Sequence, residues 1–315
     1  MKKTIFTNKY VWLLLLGTLL LLPVLIMSIN NSKKASPSQL LKVRIGYIPI
    51  LDCSQIYVAK QQNYFSQNEL DVELVPLSSG PAIIQALSSG AIDIGFANLA
   101  TIVFYEQTSP RLNRLSGGTR MDKYYSEAGL VVLTDSGIEK IADLKGKTIA
   151  VNSRRNIVDL AVLKAIKSAR LSANDITLVE IPFKDMETAI RAKRIDAATL
   201  PEPFLSVALK GSGLRNLGDH FAIAFGELYS TGYYALPNSR IITPEVIRKY
   251  DLAIAKATSD LNNPTDKTYE AISAVTKLPP DILKSSGKPE YVINVPEIAY
   301  EKMKTWLKEE KLLGN

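Results

Sequence analysis

The 315-residue sequence has a single cysteine, Cys53, and a single histidine, His220. One thiol rules out an internal disulfide framework and a Cys-rich zinc site, and one imidazole argues against a histidine-ligated metal centre. Neither a metal ion nor a cofactor is expected. Acidic residues are missing from the start of the chain: none precedes Asp52, whereas Lys2, Lys3, Lys9, Lys33 and Lys34 all do. The formal charge of +7 is therefore largely terminal, because taking those five lysines from 38 basic residues leaves 33 against 31 acidic ones. A nearly neutral body offers no field for a polyanion, so nucleic acid is not an expected partner. Catalytic patterns are absent as well. H-E-x-x-H, G-x-S-x-G, G-x-x-x-x-G-K-[ST] and CxxC do not occur. His220 lies in a GDHF stretch, as a surface or packing residue, and Cys53 has no second cysteine or candidate histidine to activate it. These absences leave little to support an enzyme.

What the N-terminus does have is a long apolar run. Residues 11–29 are interrupted only by Gly17, Thr18, Pro23 and Ser28, and three lysines precede them. A basic flank before an apolar run marks export, with the positive end held in the cytoplasm. As a helix the run would reach about 28 Å at 1.5 Å per residue, close to a hydrocarbon core of about 30 Å. No A-x-A cleavage pattern follows, and Cys53 is too far along for lipid attachment at an N-terminal cysteine. Residues 1–29 are read as a signal or membrane anchor and 30–42 as a polar linker. The body is expected outside the cytoplasm, in the periplasm or at the cell surface.

The body carries an internal repeat. Strand patterns at 42–50 (KVRIGYIPI), 71–77 (DVELVPL) and 91–97 (AIDIGFA) enclose helical patterns at 53–65 and 81–88. About one hundred residues later the order returns: strands at 147–151, 176–181 and 195–200, helices at 158–169 and 186–192. Ile45 aligns with Ile149, Asp71 with Asp175, Val75 with Val179, Ala86 with Ala189, Ile92 with Ile195 and Asp93 with Asp196. Strand–helix–strand alternation predicts parallel sheets with right-handed crossovers. The expected fold is α/β and two-lobed, with lobe 1 from 43–128 plus 224–315, lobe 2 from 129–223, and a two-crossing hinge between them. Helical segments near 244–262, 266–277 and 295–311 should return to lobe 1.

In such sheets ligands sit beyond the carboxyl ends of the strands, here in the cleft between lobes. The strand-to-helix turns there present helix N-termini, whose unpaired N–H groups and dipole favour an anion. In LSSGP, Ser79 can cap, Gly80 lets backbone approach, and Pro81 has no N–H to orphan. Arg154 and Arg155, in NSRRN with Asn156, add charge at the predicted cleft edge and suit bidentate recognition of an oxyanion. Glu202, held between two prolines, could accept from an ammonium or amide or orient Arg154. Asp52, Asn98 and Thr119 are further polar candidates, and Tyr57, Phe96, Tyr124 and Phe204 are candidate walls.

The segments GYIPILDCSQIYVAKQQNYF (46–65), SSGPAIIQALSSGAIDIGFAN (78–98), DLKGKTIAV (143–151) and AKRIDAATLPEPF (192–204) resemble the nitrate/sulfonate/bicarbonate/taurine-type substrate-binding proteins of ABC importers. That resemblance implies a periplasmic-binding-protein fold of the second type. It also implies a small anionic or zwitterionic ligand and, as partners, a membrane permease with its ATPase. IPILDCS looks closest to the nitrate/bicarbonate branch, and SSGPAIIQAL to the sulfonate/taurine branch. The family's contacting turns fall on Asp52 and Cys53, Ser79 and Gly80, Asn98 and Glu202. The second-lobe turn departs from the family, with Arg155 and Asn156 where glycine and a hydroxyl are usual. A monomer is expected, tethered to the membrane through its N-terminal helix. A thiamine-precursor pyrimidine binder of the same fold, favouring aromatic walls over arginine, and a membrane-tethered sensor ectodomain stay open as alternatives.

Overall fold

The computed structural model describes residues 40–122, 124 and 128–313. The apolar run 11–29, expected as an anchor helix, lies outside them. Among the described residues no helix is long and apolar enough to cross a membrane.

Eleven strands form two mixed sheets among the described residues. The first sheet takes β1 (Leu41–Tyr47), β2 (Leu70–Pro76), β3 (Ile94–Asn98) and β4 (Asn113–Met121). The second takes β5 (Ala128–Leu133), β6 (Thr148–Val151), β7 (Thr177–Glu180), β8 (Ala197–Pro201) and β9 (Leu214–Asn216). The chain then returns, and β10 (Leu228–Ala235) and β11 (Glu290–Val292) complete the first sheet. The orders are β11-β4-β10-β3-β1-β2 and β7-β6-β8-β5-β9. β1 begins inside the stretch read as linker, because Leu41 already pairs with Leu70.

The repeat is written into the ladders. Ile45 of β1 faces Leu74 and Ile94, while Ile149 of β6 faces Leu178 and Ala197, partners set 104 and 103 residues apart. An aspartate serves each copy in the same way. Asp93 accepts the Arg44 N–H at 2.8 Å, and Asp196 accepts the Thr148 N–H at 2.9 Å. Each carboxylate sits one residue or so ahead of the third strand, so it satisfies a backbone donor that the ladder has not yet reached.

Helices cover the sheets where apolar positions recur. The 53–65 pattern becomes a 3-10 turn, Leu51–Cys53, then helices Ser54–Gln61 and Tyr64–Gln67, broken at Asn63 in the left-handed region with φ 61°. Asparagine tolerates that conformation better than most residues. Ser79 Oγ caps helix Gly80–Ser88 by accepting from the Ala82 N–H at 3.4 Å. A Cβ on Gly80 would stand 2.8 Å from Thr101 Oγ1, so the residue lets helix Leu99–Glu106 approach. Helix Pro244–Asn262 returns to pack on Ser54–Gln61, and helix Glu297–Glu309 on Leu99–Glu106. Short helices Phe204–Lys210, His220–Phe225 and Pro280–Ser285 were not legible as patterns, being under three turns long.

Candidate functional site

The carboxyl ends of the parallel strands of both sheets face one another across a cavity. Its inner part is lined by Ile48, Ile50, Phe96, Met121, Ile157, Val158, Phe183 and Phe221, with Asp52, Asn98, Asn152, Ser230 and Thr231 as the polar groups. An outer hollow, which shares Ile48 and Phe183 with the inner one, is walled by Pro49, Pro76, Leu77, Phe183, Lys184 and Phe204. The two phenylalanine rings there lie 6.0 Å apart. The inner space is only about 50 Å³ and the outer about 220 Å³, against about 300–1,000 Å³ for small-molecule sites in general. The two halves of the protein are drawn close together.

Polar contacts at the cleft walls join them. Asn98 caps its own helix, Leu99–Glu106, by accepting from the Thr101 N–H at 2.9 Å. The same Oδ1 accepts from the Ile157 N–H at 3.3 Å, the first residue of helix Ile157–Ser168 on the other half. Two helix N-termini therefore converge on one amide oxygen. The Leu51 N–H donates to the Glu202 carbonyl at 2.9 Å, and Asn152 Nδ2 donates to the Ser78 carbonyl at 3.4 Å.

A hydroxyl cluster backs the inner wall. Thr119 Oγ1 donates to Asp52 Oδ2 at 3.1 Å and lies 2.7 Å from Ser230 Oγ and 2.6 Å from Thr231 Oγ1. Asp52, Thr119, Ser230 and Thr231 are all buried. A chain of hydroxyls in a low-dielectric site can reorient to offer a ligand either a donor or an acceptor. Ser230 and Thr231 escaped notice in the sequence because the start of β10, ELYS, has no clear alternation. Only the Tyr-Tyr-Ala end reads as a strand.

The expected site residues divide by this geometry. Asp52 and Asn98 line the inner cavity. Thr119 stands directly behind it. Cys53 is buried in the core next to Asp52. Ser79 and Gly80 follow Ser78 of the outer wall and shape its helix start. Asn156 caps helix Ile157–Ser168 through the Val158 N–H at 2.6 Å, and its Nδ2 donates to Asn152 Oδ1 at 3.2 Å, so it orients a wall residue. Glu202 turns from the cavity, accepting from Ser206 N–H at 3.0 Å, Ser206 Oγ at 2.8 Å and Gly287 N–H at 3.3 Å. Burial pushes its carboxyl pKa up, and these bonds oppose the rise. Among the expected walls, Phe96 and Phe204 line the cavity. Tyr57 is core, its hydroxyl donating to carbonyls of Ile48 and Ile50, and Tyr124 is 76% exposed elsewhere.

Arg154, expected at the cleft edge, lines neither hollow. Its Nε donates to Asp159 at 3.2 Å and its side chain is half exposed. Asp159 belongs to the capping box of helix Ile157–Ser168 and also accepts from the N–H groups of Arg155 and Asn156, which draws the guanidinium outward. Arg155 lies over the Phe104 ring at 4.9 Å. The Arg154 guanidinium is half exposed, and the buried Asp159 keeps the N–H groups of Arg155 and Asn156 without it, so the pair contributes about 1 kcal/mol. Arg154→Ala is accordingly expected to leave ligand affinity within about twofold and stability within about 1 kcal/mol; calorimetric titration and urea unfolding check this. A tenfold loss of affinity would return Arg154 to the site.

Residues 51–266 match the family described as NMT1/THI5 like. A protein of Escherichia coli strain K12 named as an aliphatic sulfonates-binding protein is 26% identical over 196 residues, covering 62% of this chain and 60% of that one. A similarly named protein of Bacillus subtilis strain 168 is 25% identical over 207 residues, 64% of this chain and 60% of its own. The match thus spans about 60% of the length of these curated relatives. The alkanesulfonate-binding protein SsuA from Xanthomonas axonopodis pv. citri, solved bound to MOPS, superposes with a TM-score of 0.74 at 20% identity, over 87% of this chain and 95% of that chain. The nitrate-binding protein NrtA from Synechocystis PCC 6803 gives 0.65 at 12% identity, over 87% and 81%. At such identities the likeness is one of fold, and the α/β architecture of two mixed sheets is shared with these periplasmic binding proteins.

Proposed function

The chain belongs to the NMT1/THI5-like family, and on that footing we propose that it is the extracytoplasmic solute-binding component of an ABC importer, without a catalytic step of its own. It would hand its ligand to a membrane permease driven by an ATPase. The observation that carries the reading is the cavity itself, enclosed between the strand ends of two repeated α/β units and mixing apolar walls with a few fixed polar groups. Chain crossings between β4 and β5 and between β9 and β10 would serve as the hinge of a two-lobed body. One lobe binds first, the lobes close, and water leaves so that each remaining hydrogen bond strengthens. Residues 11–29 would export the protein and tether it to the membrane.

The ligand class proposed first is a small anion or zwitterion: an aliphatic sulfonate, taurine, nitrate or bicarbonate. The names of the relatives support it, as do two helix N-termini meeting at Asn98 and the donors of Asn152, Ser230 and Thr231. A micromolar Kd requires about 8 kcal/mol, whereas a helix N-terminus contributes about 0.3–1 kcal/mol. Burial of an organic tail against Phe183, Phe204 and Leu77 would supply the larger share, which favours a sulfonate over nitrate.

One observation favours a second ligand class. Among the described residues, the inner wall carries a carboxylate, Asp52, and no lysine or arginine. A neutral or cationic nitrogen heterocycle such as a pyrimidine would suit that wall, stacking on Phe96, Phe183 or Phe221. Thermal melting of the purified protein against taurine, alkanesulfonates, nitrate, bicarbonate and an aminopyrimidine separates the two. A saturable rise, about 2.7 kcal/mol at one hundred times Kd, is expected for a sulfonate. A rise for the pyrimidine alone transfers the proposal to the second class. No rise with any of them would overturn both.

A further inference from the structure

A second cavity lies away from the cleft, at the seam where the C-terminal helix meets the second half. It measures about 340 Å³, inside the usual range for small-molecule sites, and its walls include Lys164, Phe225, Leu228, Lys302, Met303 and Trp306, with Glu227 as the one lining carboxylate among the described residues. The Lys164 ammonium stands 4.9 Å from the centroids of both the Phe225 and Trp306 rings, which meet edge to face at 5.1 Å. Burial lowers the Lys164 pKa, with Glu310 opposing the change. Among the described residues no carboxylate lies within ion-pair distance of Lys164 or Lys302. The nearby acids are engaged elsewhere: Glu310 with Lys167 at 2.8 Å and Glu227 with Arg120 at 3.2 Å. Trp306 Nε1 is buried with no hydrogen-bond partner among the described residues.

A partly desolvated ammonium, a second lysine and an orphaned indole donor around an apolar hollow outnumber its single lining carboxylate, Glu227, and so favour a further negative charge. We propose that this cavity is a second ligand site, taking a small organic carboxylate with an aromatic or branched apolar body. The carboxylate lies against Lys164, Lys302 and the Trp306 N–H, and the apolar body against Met303, Leu228 and Ile298. The inference does not rest on the transport reading. The site nonetheless borders the cleft from behind, because helix Ile157–Ser168 gives Ile157 to one cavity and Lys164 to the other, and helix His220–Phe225 gives Phe221 and Phe225 in the same way. A ligand bridging these helices to Glu297–Glu309 would bias how the two halves sit, and by linkage the two ligands would alter each other's affinity by equal factors.

The test uses the full chain carrying Trp12→Phe, which leaves Trp306 as the single indole. Titration with 3-phenylpropionate is expected to give a saturable change in Trp306 emission, and the neutral amide of the same skeleton a response at least about tenfold weaker. Lys164→Met keeps an unbranched apolar stem over both rings while removing the charge, so the fold is retained, and it should weaken 3-phenylpropionate binding about tenfold or more; Lys164→Arg should restore most of it. An equal response to acid and amide, an unchanged affinity in Lys164→Met, or no saturable change would each overturn the proposal. None of these outcomes touches the cleft, so the transport reading stands or falls separately, on the melting panel.

Discussion

Asn98→Asp is expected to cut the affinity for an anionic ligand by a hundredfold or more while leaving the protein folded. Aspartate is as good a helix cap as asparagine, and its oxygen can still accept from the Thr101 and Ile157 N–H groups that Asn98 serves at 2.9 and 3.3 Å. Tm should therefore stay within about 2 °C, the change that a few tenths of a kcal/mol produces in a chain of this size. What changes is a full negative charge on the cavity wall. At about 5 Å and an effective dielectric of about 20, like charges repel by about 3 kcal/mol, which is the hundredfold. A neutral heterocycle would lose little, and a cationic one would gain. Calorimetric titration of both protein forms with a sulfonate and with an aminopyrimidine measures this directly. Undiminished sulfonate binding would mean that the anion does not sit beside Asn98.

The second large effect concerns pH. His220 is fully buried on helix His220–Phe225, tilted against Phe221 at 4.7 Å, and neither ring nitrogen has a hydrogen-bond partner among the described residues. Burial pushes its pKa down to about 4, with Asp219 pulling weakly the other way. In the unfolded chain the imidazole takes up its proton near pH 6.5. Between those values the unfolded state binds more protons than the folded one, so stability falls as pH falls. The contribution is complete above about pH 6.5 and is lost on the way down to about pH 4, in all roughly 3 kcal/mol. Urea midpoints at about pH 7.5 and 4.5 in the wild type and in His220→Leu provide the check. The variant should show a shallower decline, since the carboxylates that also titrate there are common to both. Parallel pH profiles would show that His220 is accessible to protons in the folded state.

The repeat was legible because it rests on patterns that local sequence expresses. Alternating or continuous apolar runs flanked by helical periods name β1 to β3 and β6 to β8, and Asp93 and Asp196 mark equivalent ladder starts. Return strands were harder. β11 is three residues long, and β10 shows its sheet character only at Tyr233–Tyr234, so Ser230 and Thr231 were invisible as wall residues. Two acceptors at cleft turns, Asp52 and Asn98, could be placed because strand ends set their position. Arg154 could not, since a long side chain follows whichever carboxylate caps its helix, and here that is Asp159. Glu202 shows the same limit. Its position is set by a strand end, but its direction is set by the bare N–H groups of Ser206 and Gly287.

The contacts across the cleft have a kinetic meaning. Asn98 to Ile157, Leu51 to Glu202 and Asn152 to Ser78 join the two halves through the protein's own groups. On the proposed reading, a solute caught between them would leave only when these contacts, and the further ones from Gly287 to Glu202 and from Lys167 to Glu310, give way. Those contacts would set a floor under its dwell time, to which each guest adds whatever its own bonds to the two halves contribute. A membrane partner that pries the halves apart would shorten that wait for every guest, so part of the clock for delivery would run in the permease encounter.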